Sequence, residues 1–208
     1  MTKIKICGLT RSEDIAAVNR LMPDYIGFVF AKSRRQVTPA EAKELRKQLK
    51  REIQAVGIFV NENPETVAAV ASCGAIDLIQ LHGDENAGYC RKLRTLTSLP
   101  IIKAIRIKDE ADLTGISAFD CDYYLFDTLE DDHYGGTGKA FRHECLLAAN
   151  MEKPFFLAGG LDPDNVAAAA ALVKPFGVDT SSGVETSGIK DAKKIEEFIR
   201  QGRKTGDE

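Results

Sequence analysis

Eight short apolar runs, rich in β-branched and aromatic residues, recur along the chain at Lys3–Cys7, Tyr25–Phe30, Gln54–Val60, Asp77–Leu81, Ile101–Arg106, Tyr123–Asp127, Pro154–Ala158 and Phe176–Asp179. Their starts lie roughly 22 to 31 residues apart, the length of one strand, one helix and two short loops. Several are apolar almost throughout, as a strand covered on both faces requires. The stretches between them have helical periodicity. Eight such units close on themselves, so the predicted architecture is α/β: a (β/α)8 TIM barrel with residues 1–208 as one domain. Residues 202–208 are polar and read as a frayed tail.

Helix-capping chemistry falls where this parsing needs it. Thr10 with Glu13, and Thr38 with Glu41, have the spacing of capping boxes. Pro39, Pro64 and Pro163 follow the capping types Thr38, Asn63 and Asp162, and fit the first helical position. Ala42, Leu45 and Leu49 form one apolar stripe, the signature of a helix packed on a sheet.

Composition excludes several partners. The 28 basic and 31 acidic side chains leave a net charge of −3, with no basic excess to neutralise nucleic-acid phosphates or seek an anionic membrane. No apolar run is long enough to span a bilayer, and the start MTKIKICGLT lacks a secretory apolar stretch, so a cytoplasmic protein is expected. Five cysteines, at 7, 73, 90, 121 and 145, form no CxxC pair, which argues against disulfides and zinc. All but Cys7 read as small packed hydrophobes.

Two turns point to the ligand. LAGGL (157–161) and DTSSGV (179–184) each follow an apolar run and stand about twenty residues apart. Turns without bulky side chains let backbone N–H groups converge on an anion, and paired turns after the last two strands of a barrel are a recurring phosphate site. Gly159, Gly160, Ser182 and Gly183 are the candidate cradle, with Asp179 orienting the turn or touching a sugar. Reactive side chains of such a barrel project from the C-terminal strand ends, which here carry Cys7, His82, Arg106 and Asp127. A phosphate held by strands seven and eight leaves the rest of a sugar between Asp127 and Cys7, a carboxyl and a thiol suited to acid–base work. His82 reads as a partner of its own loop. His133 and His143 read as surface residues. The segment Thr128–Lys139 has the composition of a flap, and its GGTGK is not a phosphate loop, because His133 and Ala140 stand where that motif needs Gly and Ser or Thr.

At this point KICGLT, GFVF followed by SRR, VGIFVN, QLHGDE, LFDT, GGTGKAF, LAGGLDPDNV and VDTSSGVE stand in order over nearly the whole chain. Together they resemble the phosphoribosylanthranilate isomerase family of tryptophan biosynthesis. The resemblance implies a (β/α)8 barrel, no cofactor and no metal, and a small phosphorylated substrate handled by a monomer or homodimer. It implies an Amadori rearrangement with Cys7 as general base and Asp127 as general acid, and places the anthranilate carboxylate on Arg35. Those roles call for a carboxyl pKa above about 3.9 and favour a thiol below about 8.5. The chain departs from the family pattern at Arg142 and His143 after GGTGKAF, at Thr180 before SSG, and at Ile189 before the late Lys-Asp pair. Two other phosphosugar barrels fit less well: the histidine-pathway isomerase ends its first strand with Asp, and an epimerase calls for several metal-binding strand ends. A silent barrel that senses a phosphorylated metabolite is the non-enzymatic alternative.

Overall fold

The computed structural model describes residues 1–108, 110–128, 146 and 151–204. Thr128–Lys139 beyond its first residue, with His133, Arg142, His143 and Cys145, lies outside the described residues, as do residues 205–208. Eight parallel strands form a closed barrel in chain order: β1 (Lys3–Cys7), β2 (Tyr25–Val29), β3 (Gln54–Phe59), β4 (Leu78–Leu81), β5 (Ile101–Ile107), β6 (Tyr123–Thr128), β7 (Phe155–Ala158) and β8 (Gly177–Thr180). Each overlaps a predicted run. The ring closes where Lys3 to Ile6 of β1 pair with Gly177 to Thr180 of β8.

Strand alternation sorts side chains into two cores. Ile4, Ile6, Ile26 and Phe28 point outward into the layer shared with the helices. Cys7, Tyr25, Val56, Ile58, Leu78, Ile102, Ala104, Leu125, Phe156 and Ala158 fill the barrel. At the N-terminal end, Phe156 meets Tyr25 edge-on at 5.4 Å and Phe176 edge-on at 5.3 Å, and Tyr123 tilts against Phe156 and Phe176. These rings plug the floor of the barrel.

The helical capping differs from expectation in two places. Helix α2 (Pro39–Gln48) has the predicted box: Thr38 Oγ1 accepts from Glu41 N, and Glu41 accepts from Thr38 N. Helix α1 (Ser12–Leu21) starts later than Thr10 implied, and Asp14 rather than Glu13 closes it by accepting from the backbone N–H groups of Thr10 and Arg11. Asp14 is the buried acid of the pair; Glu13 faces solvent. The helix Val166–Val173 likewise starts after Pro163, because Asp162 caps a preceding turn at Asp164 and Asn165 instead.

Between β5 and β6 the anticipated helix is replaced by two 3₁₀ turns, Glu110–Leu113 and Ile116–Ala118. Gly115, at φ +78, breaks the run between them. The last helix, Ala192–Arg203, reaches further than the predicted tail boundary allows. Gly202 is packed 2.7 Å from Ile4 where a Cβ would sit, and Arg203 donates to Met22 O at 2.8 Å, so those two residues are held by the barrel.

Candidate active site

A cavity of about 460 Å³ opens at the C-terminal ends of the strands, within the size range of small-molecule sites. Cys7, Arg35, His82, Asp127, Gly159, Gly160, Asp179, Ser182 and Gly183 all line it. The strand ends thus bring residues from both termini of the chain to one rim.

The two glycine turns meet at its wall. Gly159 and Gly160 have φ of +93° and +60°, backbone that side chains rarely tolerate. At Gly183 the constraint is space, since a Cβ there would lie 2.1 Å from Leu161 O. Thr180, one of the departures from the family pattern, donates its hydroxyl to the same Leu161 carbonyl at 2.6 Å. The threonine therefore ties one turn to the other.

Beneath Cys7, and on the same face of β1, lies Lys5. Its ammonium is wholly buried and donates to Asp179 Oδ1 across the β1–β8 seam at 2.9 Å. Burial opposes the charge on Lys5, but Asp179 and the nearby thiol hold its proton more firmly than usual. Burial pushes the Asp179 carboxyl up despite Lys5. Burial also pushes the Cys7 thiol up, against the opposing pull of Lys5 and then Lys190. The low thiol pKa that the base role favours is therefore not what these surroundings give, because desolvation outweighs the neighbouring cations.

Asp127 does not stand alone. Its Oδ2 is 3.0 Å from His82 Nε2, and Gln80 Nε2 lies 2.7 Å from His82 Nδ1. With the Gln80 amide donating, the imidazole carries its proton on Nε2 and directs it at Asp127. His82 thus reaches across to β6 rather than serving only its own loop. That loop is held from outside the cavity: Lys103 Nζ donates to Gly83 O at 2.7 Å and to Glu85 at 2.8 Å, and Glu85 accepts from the N–H groups of Asn61 and Gly83.

Arg35 enters from the segment after β2 and is gripped by Glu185, Nε to Oε1 at 2.7 Å and Nη2 to Oε2 at 2.9 Å. Arg34 and Lys190 converge on the same carboxylate. Burial works against its ionisation, yet hydrogen bonds from Arg35 and Lys190 hold the Glu185 carboxyl down to about 2. Among the described residues no three His, Cys, Asp or Glu side chains are grouped as metal ligands.

Sequence reasoning missed Lys5, Gln80, Glu185 and Lys190. Lys5 and Gln80 had a usable signal: each is a polar residue inside an apolar strand, two positions before a candidate catalytic residue, and hence on the same face. Glu185 and Lys190 had none, because their partners lie about 150 residues away or across a hairpin.

Comparison with known proteins agrees with this geometry. A family model described as N-(5'phosphoribosyl)anthranilate (PRA) isomerase matches residues 4–201. The N-(5'-phosphoribosyl)anthranilate isomerase of Thermoanaerobacter sp. (strain X514) is 47% identical over 203 residues, covering 98% of both chains. The crystal structure of phosphoribosyl anthranilate isomerase from Thermotoga maritima has a TM-score of 0.87 at 37% identity, over 98% of this chain and 100% of that one. A structure of a phosphoribosyl anthranilate isomerase in complex with reduced 1-(o-carboxyphenylamino)-1-deoxyribulose 5-phosphate has a TM-score of 0.85 at 34% identity, over 98% of this chain and 100% of that one. A barrel whose cavity gathers a thiol, a carboxyl and two glycine turns, matched along nearly its whole length, belongs to the PRA isomerase family.

Proposed function

We propose that this chain, one barrel domain over residues 1–208, converts N-(5-phosphoribosyl)anthranilate into 1-(2-carboxyphenylamino)-1-deoxyribulose 5-phosphate in tryptophan biosynthesis, without a cofactor. The observation that carries the reading is that Cys7 and Asp127 face one cavity from β1 and β6, with the two glycine turns of β7 and β8 between them. A related structure of 34% identity binds the reduced form of that product.

In this reading the glycine turns, with Ser182, hold the phosphate, and Arg35 meets the anthranilate carboxylate in a charge-assisted pair. Asp127 turns Oδ2 to His82 Nε2 at 3.0 Å, which leaves Oδ1 as the oxygen that donates a proton to the substrate. That proton goes to the furanose ring oxygen. The C–O bond at C1 breaks, and the anthranilate nitrogen lone pair forms the Schiff base. The iminium nitrogen then draws electrons as the Cys7 thiolate removes the C2 proton, giving an enolamine that tautomerises to the ketone. Lys5, charged beneath the thiol, favours the thiolate against the cost of burial.

The test is turnover of freshly made phosphoribosylanthranilate, followed by loss of its fluorescence. Steady decay proportional to enzyme concentration is expected. Tight binding of the substrate without decay would leave a silent metabolite-binding barrel in its place.

A further inference from the structure

Glu185 sits where the two ends of the site meet. It begins a two-stranded hairpin, Glu185–Thr186 against Ile189–Lys190, immediately after the phosphate turn. Its side chain is 5% exposed and accepts from three cations: Arg35 and Lys190 at Oε1, and Arg34 and Arg35 at Oε2. Lys190, itself 3% exposed, also donates to Ser181 O at 2.8 Å. Three positive charges on one carboxylate leave a surplus of two at the rim of a cavity read as taking a phosphate and a carboxylate.

The geometry of the Arg35 pair is informative. Glu185 engages the Nε–Nη2 edge, which leaves the Nη1–Nη2 edge outside that pairing, and a guanidinium presents donors along both. The aliphatic part of Arg35 runs over Gly8, where a Cβ would come within 2.4 Å of Arg35 Cδ. The side chain is thus fixed at its stem and on one edge of its head.

We propose that Glu185 is a positioning residue for the substrate: it aims the outer edge of Arg35 at the anthranilate carboxylate and, through Lys190, fixes the turn at Ser181 that carries the phosphate. One carboxylate then sets the distance between the two anionic ends of the ligand. This rests on the reading of Arg35 given above.

The experiment uses the full chain with phosphoribosylanthranilate as substrate and ribose 5-phosphate as the anthranilate-free competitor. Glu185→Gln should raise KM by about tenfold or more and leave kcat within about threefold, the pattern of lost binding rather than lost chemistry. The ribose 5-phosphate inhibition constant should rise less. In an Arg35→Ala background the same change should add under about twofold to KM, because the group it positions is gone. Should Glu185→Gln not fold, Arg35→Lys serves instead: it keeps the charge but cannot hold Glu185 and a carboxylate by two edges, so KM should rise as in Arg35→Ala. A lower Tm with KM unchanged in Glu185→Gln, or a wild-type KM in Arg35→Lys, overturns the proposal. Equal losses of substrate and ribose 5-phosphate binding in Arg35→Ala would instead remove the reading of Arg35 on which it rests.

Discussion

The lower end of the barrel is closed by Tyr25, Tyr123, Phe156 and Phe176, with ring centroids 5.3 to 5.9 Å apart. The upper end holds Cys7, His82, Asp127 and two glycine turns around a cavity, and between them lies the Lys5–Asp179 pair. The same eight strands supply both. Because all are parallel, every carboxyl end reaches the upper rim and every amino end the floor, so the fold separates cohesion from chemistry along one axis. The floor gains from apolar burial and edge-to-face ring contacts. The rim carries the cost of desolvated charge, in the buried Lys5–Asp179 pair, and uses glycines for left-handed backbone at Gly159 and Gly160.

Removing the proposed acid or base should have the largest effect. Cys7→Ala and Asp127→Asn should each lower kcat by about 10² to 10⁴, the range for positioned proton transfer, with urea midpoints close to the parent's. Near-full turnover by folded Cys7→Ala protein would break the assignment of chemistry to the rim.

The converse change, Phe156→Ala, should cost about 3 to 5 kcal/mol of unfolding free energy by urea titration. The molecules that stay folded should keep kcat within about threefold. A loss of kcat larger than the loss of stability would mean that the floor is coupled to the rim.

Gly183→Ala sharpens the same contrast within the rim. Its new methyl collides with Leu161 O, so substrate and inorganic phosphate should both bind about tenfold more weakly, close to the value of one charge-assisted hydrogen bond. Unchanged phosphate inhibition would move the anion away from these turns.

The smallest expected effect comes from Lys5→Met in the middle layer. The proposed base is the thiolate, so activity rises as pH passes the Cys7 pKa, and burial already sets that limb above the ordinary thiol range. Lys5 pulls it down, and its removal should move the limb up, in kcat/KM and in the iodoacetamide reaction of Cys7 alike. A limb that stays put, or moves down, would show that Lys5 serves packing alone.

Much of this was legible in the chain. The strands could be read because each is an apolar run between helix-forming stretches, and that pattern is local. The glycine turns could be read because LAGGL and DTSSGV encode their backbone in residue type. The start of α1 was misplaced because Thr10, Arg11, Ser12, Glu13 and Asp14 offer two overlapping registers for a cap, and only burial of Asp14 chooses between them. Polar residues inside apolar strands mark Lys5 and Gln80, but which residue each site group pairs with is not written locally. Lys5 finds Asp179 at a separation of 174 residues, Arg35 finds Glu185 at 150, and His82 finds Asp127 at 45, through ring closure that no local pattern encodes.

The seam between β1 and β8 also has a meaning in time. The first strand leaves the ribosome with its partner some 170 residues away, and at about 5 to 20 residues per second it waits roughly ten to thirty seconds for that partner. During that interval Lys5 has no Asp179 to neutralise it, so the lysine resists burial in any half-made barrel and keeps the nascent strand hydrated. A charge that the finished barrel neutralises across this seam is therefore a cost to any barrel closed without β8.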